Sequence, residues 1–268
     1  LLNYPSDTIY NVILSQSDTV YIPLLGSWLE SADLWFRNIQ GDIVVDFYPR
    51  SQIYPGVYNS KMDVSVQSMD FVIQTEELSD QELQLQEKFH SQIAAETSFL
   101  DIVPVNFYNH KLQAQSTTKF ELDAVNGDVA FLVMYVKSQA QPSGTHPFNP
   151  VSIGKHAQID VLTPGSKSII GSGSGIDLHY LNNLVLPTHF HNHFMLDHPN
   201  IVVIPFCSSV TKSMFGVKTG SMYLDGSRYY LSVTPDASFA SGNYDVVIYA
   251  YKFATLLNNK GRLSIHHS

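Results

Sequence analysis

The chain has 268 residues, of which 44% are hydrophobic, and its formal net charge is −9. This acidic balance argues against binding of naked nucleic acid, because affinity for nucleic acid comes largely from Lys and Arg contacts to phosphates. No apolar run approaches the ~20 residues of a transmembrane helix, and Cys207, the only cysteine, excludes an intrachain disulfide and fits a reducing compartment.

Short runs of β-branched and aromatic residues predict strands along most of the chain. Two of these runs, residues 43–49 and 63–74, precede a segment of a different kind at residues 76–96. That segment contains strong helix formers and has Glu82 three residues after Ser79, which is the spacing of a capping box. We expect one short helix here, on the surface of a β scaffold.

Ten more predicted strands follow the helix, separated by turn residues such as those at 125–128, 142–150 and 225–227. Many short strands with almost no helix indicate a β-sandwich or barrel. The run VVIYAY, residues 246–251, is apolar on both faces, which predicts a strand buried between its own sheet and a neighbour. The ten predicted strands are residues 99–108, 118–123, 128–136, 156–163, 178–186, 200–206, 219–225, 228–234, 244–257 and 261–265.

Four histidines, His189, His191, His193 and His198, lie in the sequence THFHNHFMLDHPN. In a strand, alternate residues share a face, so two histidines at i and i+2 could bind one metal ion, as in cupins. Nothing in the sequence pairs a third ligand with them. The other interpretation is a strand whose histidines face solvent or a neighbouring subunit. We assign no catalytic, cofactor-binding or metal-binding residue, since no G-x-S-x-G or H-E-x-x-H motif occurs either.

The C-terminal segment has a distinctive order of motifs. TGSM at 219–222 is followed by an alternating strand at 228–233, an apolar strand at 244–251 and LLNNKG at 256–261 before a closing strand. This order resembles the end of the double jelly-roll major capsid proteins of nucleocytoplasmic large DNA viruses and their relatives. Tyr223 stands where that family has Asn.

Three further segments resemble parts of the same family, in the expected order. Residues 20–50 resemble its late first-roll segment, residues 69–92 its strand-then-helix segment, and residues 119–137 its strand–turn–strand segment. Together with the C-terminal segment they cover about half of the chain. The resemblance implies an all-β fold, a jelly-roll β-sandwich that is the second roll of a double jelly roll, with one short surface helix.

The resemblance also implies a domain division and an origin for the chain. Residues 1–55 would be the C-terminal part of a first jelly roll, and residues 56–268 a second jelly roll. Because double jelly-roll proteins run well beyond 268 residues, we expect a fragment or a processed product.

The implied function is structural and not enzymatic. The family forms pseudo-hexameric homotrimers that tile an icosahedral shell, so the chain would be a major capsid protein of the virion, assembled in the host cytoplasm. Its partners would be neighbouring capsomers, minor capsid proteins and internal membrane proteins, without direct nucleic acid and without a cofactor. Loops 138–155 and 164–178 would project from the shell or fill gaps between subunits.

Two alternatives remain at the level of sequence. The first is a cupin-like metal-binding enzyme that uses His189 and His191. The second is a carbohydrate-binding β-sandwich module in which surface Tyr and Trp side chains stack on sugars. The only tryptophans of the chain are Trp28 and Trp35.

Overall fold

The structure is a computed structural model that describes residues 52–53, 62–63, 68, 70, 78–92, 95–138, 150–171, 175–185, 201–214, 216–259 and 262–267. Its helices are α1 (Asp80–Gln92), α2 (Leu178–Val185) and α3 (Val210–Met214). Its strands are β1 (Gln52–Ile53), β2 (Met62–Asp63), β3 (Ala95–Leu112), β4 (Thr118–Glu121), β5 (Asn126–Ser138), β6 (Pro150–Val151), β7 (Gln158–Leu162), β8 (Ile176–Asp177), β9 (Ile201–Pro205), β10 (Met222–Asp225), β11 (Tyr230–Thr234), β12 (Gly242–Asn259) and β13 (Arg262–His267).

The strands form two antiparallel sheets and a separate β1–β2 pair. The larger sheet has the order β3-β12-β5-β9. In the same sheet, β6 and β10 pair with β5, and β13 pairs with β12. The smaller sheet has the order β4-β11-β7-β8.

This strand order is that of a jelly roll. Without β1, β2, β6, β10 and β13, eight strands remain in the described part of the chain. The first pairs with the eighth, the eighth with the third and the third with the sixth in one sheet. The second pairs with the seventh, the seventh with the fourth and the fourth with the fifth in the other. Two four-stranded sheets connected in this way are a jelly-roll sandwich, so the predicted fold class is confirmed.

The core lies between the two sheets and follows the two-residue alternation of the strands. In β12 the buried positions are every second residue, as at Val246, Ile248 and Ala250, and in β11 Leu231 and Val233 point to the same interior. Full burial of each such Val, Leu or Ile side chain contributes roughly 1.5–3 kcal/mol. The core therefore explains why the inward-facing side chains of each strand are apolar. It does not determine the side chains that face outward.

Strand β3 lies at the edge of the larger sheet, within the part of the chain that the structure describes. It pairs along its length with β12 alone, from Ala95 to Leu112. Pro104 lies in the middle of this strand and is exposed. Proline has no backbone N–H and is confined in sheets to edges and bulges, which explains why a proline is tolerated at this point.

Helix α1 matches the predicted surface helix, although it spans Asp80–Gln92 and not the whole of residues 76–96. The capping box is present: the Ser79 backbone N–H and hydroxyl donate to Glu82 Oε2 at 2.9 and 2.7 Å, and the Glu82 N–H donates to Ser79 Oγ at 3.4 Å. These hydrogen bonds lower the pKa of the Glu82 carboxyl. Leu85, in the middle of the helix, is 67% exposed.

The prediction of a single helix was wrong, because α2 replaces the strand predicted at residues 178–186. Asp177 Oδ1 accepts hydrogen bonds from the N–H groups of His179 and Tyr180 at 3.0 and 3.4 Å, as an N-cap residue does. Leu178 and Leu181, three residues apart, are buried in the core. The cap and this apolar pair fix a short helix that lies beside β8 and β9. Helix α3 was not predicted either.

Several predictions fall on residues that the structure does not describe. These are the strand at residues 43–49, most of that at 63–74, and nearly all of the predicted first-roll segment 1–55. Within the described residues, no helix has the length and apolar character needed to span a membrane.

Candidate assembly surface

The outward face of the larger sheet carries a regular array of apolar and aromatic side chains, which we call the aromatic face. Its members come from β9, β5, β12 and β3, one residue from each strand in every cross-strand row. The three rows are Ile201, Tyr135, Val247 and Asn106; Val203, Val133, Tyr249 and Pro104; and Pro205, Phe131, Tyr251 and Ile102.

The composition of this face differs from that of an ordinary solvated sheet. Antiparallel sheets with one wet face alternate apolar residues inward and polar residues outward. Here every member of the three rows except Asn106 is apolar or aromatic. Ile102 is 47% exposed, and Tyr108, further along the same strand, is 70% exposed. Contiguous apolar surface of this kind is typical of interaction sites.

The tyrosines of the face are held against neighbouring rings. The rings of Phe131 and Tyr251 stack with centroids 4.4 Å apart, and those of Tyr135 and Tyr249 lie 6.2 Å apart in a tilted arrangement. Burial raises the pKa of Tyr135 to about 12, with a smaller contribution from its hydrogen bond with Tyr249. Burial also raises the pKa of Tyr251. A tyrosine is already neutral at physiological pH, and the raised pKa values of Tyr135 and Tyr251 extend this neutral state to more alkaline pH. Their hydroxyls therefore add hydrogen-bonding capacity without charge.

One end of the aromatic face is already covered by the protein itself. Phe131 is only 2% exposed and belongs with Ala130 and Phe253 to a small cluster against which Val210 of α3 and the half-buried Cys207 pack. At this end, therefore, the protein itself buries part of the face.

Helix α3 is fixed in place by a local hydrogen-bond network. The Thr219 hydroxyl lies 3.0 Å from the buried Ser213 hydroxyl and accepts from the Ser209 N–H at 3.2 Å. Gly216 follows the helix with φ +77°, and a Cβ at this position would lie 2.2 Å from the Ser98 carbonyl oxygen. Only glycine allows this approach, so α3 and β3 are kept in contact.

The histidines singled out in the sequence, His189, His191, His193 and His198, lie outside the described residues, as do Trp28 and Trp35. Within the described ranges, no group of three or more His, Cys, Asp or Glu side chains is placed to hold a metal ion.

The aromatic face was only partly predicted. The run at residues 246–251 indicated that β12 is apolar outward as well as inward, and its outward residues Val247, Tyr249 and Tyr251 belong to the face. The contributions of β5, β9 and β3 depend on the register between strands. That register links residues far apart in the chain, as in the pairing of Tyr249 with Val133. A single sequence does not specify which residues pair in this way.

No family model matches the sequence, and no curated protein matches it. Similar solved structures include the VP54 protein of PBCV-1, fitted into a reconstruction of the virophage Sputnik, with a TM-score of 0.49 and 11% identity over 71% of this chain and 55% of that chain. A chain of the PBCV-1 virus capsid has a TM-score of 0.44 and 10% identity over 69% of this chain and 54% of its own.

The major capsid protein of mavirus is also similar, with a TM-score of 0.34 and 11% identity over 66% of this chain and 42% of that chain. The chain spans about half the length of the two PBCV-1 chains. The assignment of the jelly roll itself rests on the strand order. The solved structures that this chain is similar to thus include viral capsid proteins, the class of protein that its sequence resembles.

Proposed function

We propose that this chain is a structural protein of a virion, a major capsid protein whose jelly roll is one building block of an icosahedral shell. The observation that supports this proposal is the aromatic face on a sandwich that already encloses a complete core. A second apolar surface on such a sandwich is stabilised when another protein surface covers it, because covering it removes apolar area from water.

The proposed partner is another jelly roll. Residues 56–268 would form the second roll and residues 1–55 the end of a first. Three chains that each hold two rolls side by side would close a pseudo-hexameric homotrimer. Obligate interfaces in such oligomers are large and apolar, and closed cyclic symmetry is the usual form of soluble oligomers. The aromatic face has the composition expected for one of these interfaces.

The remaining partners belong to the same proposal. Neighbouring capsomers, minor capsid proteins and internal membrane proteins would contact the other surfaces of the trimer, which would assemble in the host cytoplasm and reside in the virion. The net charge of −9 suits contact with proteins and not with the genome. The role is non-enzymatic, without cofactor or metal.

The proposal is tested by the oligomeric state of the 268-residue chain. Analytical ultracentrifugation and native mass spectrometry at neutral pH should detect a trimer. Tyr249→Glu places a charge in the middle of the aromatic face and should convert the trimer into monomer, because burying an unpaired carboxylate is strongly unfavourable.

Tyr180→Glu is the matched control, since Tyr180 lies on α2 and is 59% exposed. This variant should remain trimeric. A wild-type chain that is monomeric at all accessible concentrations, or a Tyr249→Glu variant that assembles as well as Tyr180→Glu, would contradict the proposal.

A further inference from the structure

The outward face of the smaller sheet has the opposite chemistry to the aromatic face. Its side chains come from β4, β11 and β7 and from Thr117, which precedes β4. Its three cross-strand rows are Thr117, Thr234 and Gln158; Lys119, Ser232 and Asp160; and Glu121, Tyr230 and Leu162. Hydroxyl, amide, ammonium and carboxylate groups thus lie side by side on one surface.

The first two rows form the floor of a cleft of about 270 Å³, whose wall includes Ser166 and Gly175. Gly175 has φ +83°, and a Cβ there would lie 3.0 Å from the Ile159 carbonyl oxygen, so glycine is what lets this wall approach β7. Pockets for small molecules usually begin at ~300 Å³. The cleft is therefore of a size for one small ring and not for a longer chain.

Asp160 is the unusual member of the cleft. It is only 4% exposed, and its Oδ1 accepts one hydrogen bond, from the Gly171 N–H at 3.2 Å. No Lys, Arg or His among the described residues forms an ion pair with it. A buried carboxylate is costly unless hydrogen bonds compensate for its lost hydration, and a bound ligand with hydroxyl groups would supply them.

The neighbouring groups define what kind of ligand fits. Lys119 lies on the other side of Ser232 from Asp160, and its Nζ is 6.0 Å from the centroid of the Tyr230 ring. A cationic ligand would be repelled by the Lys119 ammonium and an anionic ligand by the Asp160 carboxylate. An apolar ligand would give neither group a further hydrogen bond. A neutral ring bearing several hydroxyls can donate to Asp160 and accept from Lys119 at once.

The amide and hydroxyl groups of the cleft extend this match. The Gln158 amide both donates and accepts. The Thr117 and Thr234 hydroxyls lie 2.8 Å apart and share one hydrogen bond, which leaves acceptor capacity on both oxygens. We propose that this cleft binds a single sugar ring, either as a free monosaccharide or as the terminal residue of a glycan.

This proposal differs from the tryptophan-based carbohydrate module considered from the sequence, because the described residues that line the cleft are mainly polar side chains of β4, β11 and β7 and their neighbours. No short-range motif indicated it. Lys119, Asp160 and Ser232 are far apart in the chain, and only the register of three strands brings them into one row.

The test uses the 268-residue chain and a panel of glucose, galactose, mannose, fucose and N-acetylglucosamine. Each sugar is examined by saturation-transfer NMR and by titration calorimetry. At least one sugar should bind. Asp160→Asn retains the shape and the acceptor for Gly171 but removes the charge, and it should weaken binding about tenfold or more, since hydrogen bonds to a charged group are the strong ones.

Gln158→Ala is a second variant in the floor of the cleft. It removes a neutral group and should weaken binding by a smaller factor. Glu121→Gln is the control: it changes a carboxylate on the same sheet face that is paired with Arg228 and lies outside the cleft, and it should bind as the wild type does. Thermal unfolding establishes that each variant is folded.

Immobilised glycans that end in the same sugars distinguish the two sources of ligand. Equal affinity for the free and the attached sugar shows that the ring alone is recognised, and binding of the attached sugar alone identifies a terminal-residue site; both results support the proposal. The proposal is overturned if no free or attached sugar binds, or if Asp160→Asn and Glu121→Gln weaken binding equally. It is also overturned if N-acetyl-lysine amide binds and no sugar does, because the cleft would then be a binding site for a basic side chain.

Discussion

The larger and smaller sheets both contribute inward residues to the same core, yet their outward faces have different compositions. On the larger sheet the outward rows are apolar and aromatic, as at Val133 and Tyr249, whereas on the smaller sheet they are polar, as at Lys119 and Ser232. The core cannot account for this difference, because it constrains only inward positions. The composition of the outward residues therefore reflects what lies outside the sandwich. We propose that this is another protein surface at the larger sheet and water or a small polar ligand at the smaller sheet.

The largest expected effect comes from the covered end of the aromatic face. Phe131→Ala should lower the free energy of unfolding by ~3–5 kcal/mol, as for a buried aromatic residue, because α3 already covers this side chain. Tyr230→Ala removes an outward aromatic residue from the smaller sheet, where it is half-buried, and should have a clearly smaller effect. Urea unfolding of both variants measures the difference. Equal losses would show that the two faces do not differ in how they are buried.

An intermediate effect is expected from pH. Because the pKa of Tyr135 is raised to about 12 in the folded protein, the folded state holds the tyrosine proton more tightly than the unfolded state, whose tyrosines titrate near ~10. The resulting stabilisation is complete below pH ~10 and is lost as the pH rises towards 12. Urea unfolding at several pH values should show this decline.

Tyr135→Phe should make the decline shallower, because it removes the titrating group. Val133→Ala, a neighbour on the same face, should lower stability by a similar amount at every pH. If the slope were the same in Tyr135→Phe as in the wild type, the neutral character ascribed to this part of the face would be wrong.

The smallest effect is expected on the smaller sheet. Arg228 Nε lies 3.1 Å from Glu121 Oε1, and the Arg228 side chain is 77% exposed. Exposed ion pairs contribute about 0–1 kcal/mol, so Arg228→Ala should change the midpoint of thermal unfolding very little. A large loss of stability would indicate that this face is buried in the assembled protein, and the contrast between the two faces would disappear.

Much of the fold follows from local patterns in the sequence. Runs of β-branched and aromatic residues located the strands that form the sandwich, and the spacing of Ser79 and Glu82 located α1. The strand β12 was predicted to be apolar on both faces, and this observation anticipated one strand of the aromatic face.

The errors have a common physical cause in tertiary contacts. Helix α2 contains His, Tyr, Asn and Val, which have modest helix propensity, and it forms because Leu178 and Leu181 are buried and Asp177 caps it. The polar cleft required the register between β4, β11 and β7, which no local pattern contains. The histidine-rich segment that contains His189, His191, His193 and His198 lies outside the described residues.

Pro104 has a consequence for a protein that meets copies of itself at high density. A long strand at the rim of a sheet is a template on which another strand can add, and such addition leads to fibres. A residue without an N–H interrupts that template, and the exposed Asn109, with φ 56°, bends the backbone away from regular strand geometry further along. These two residues thereby disfavour the addition of strands at this edge. Two copies would then associate more readily through the face of the sheet than through its edge.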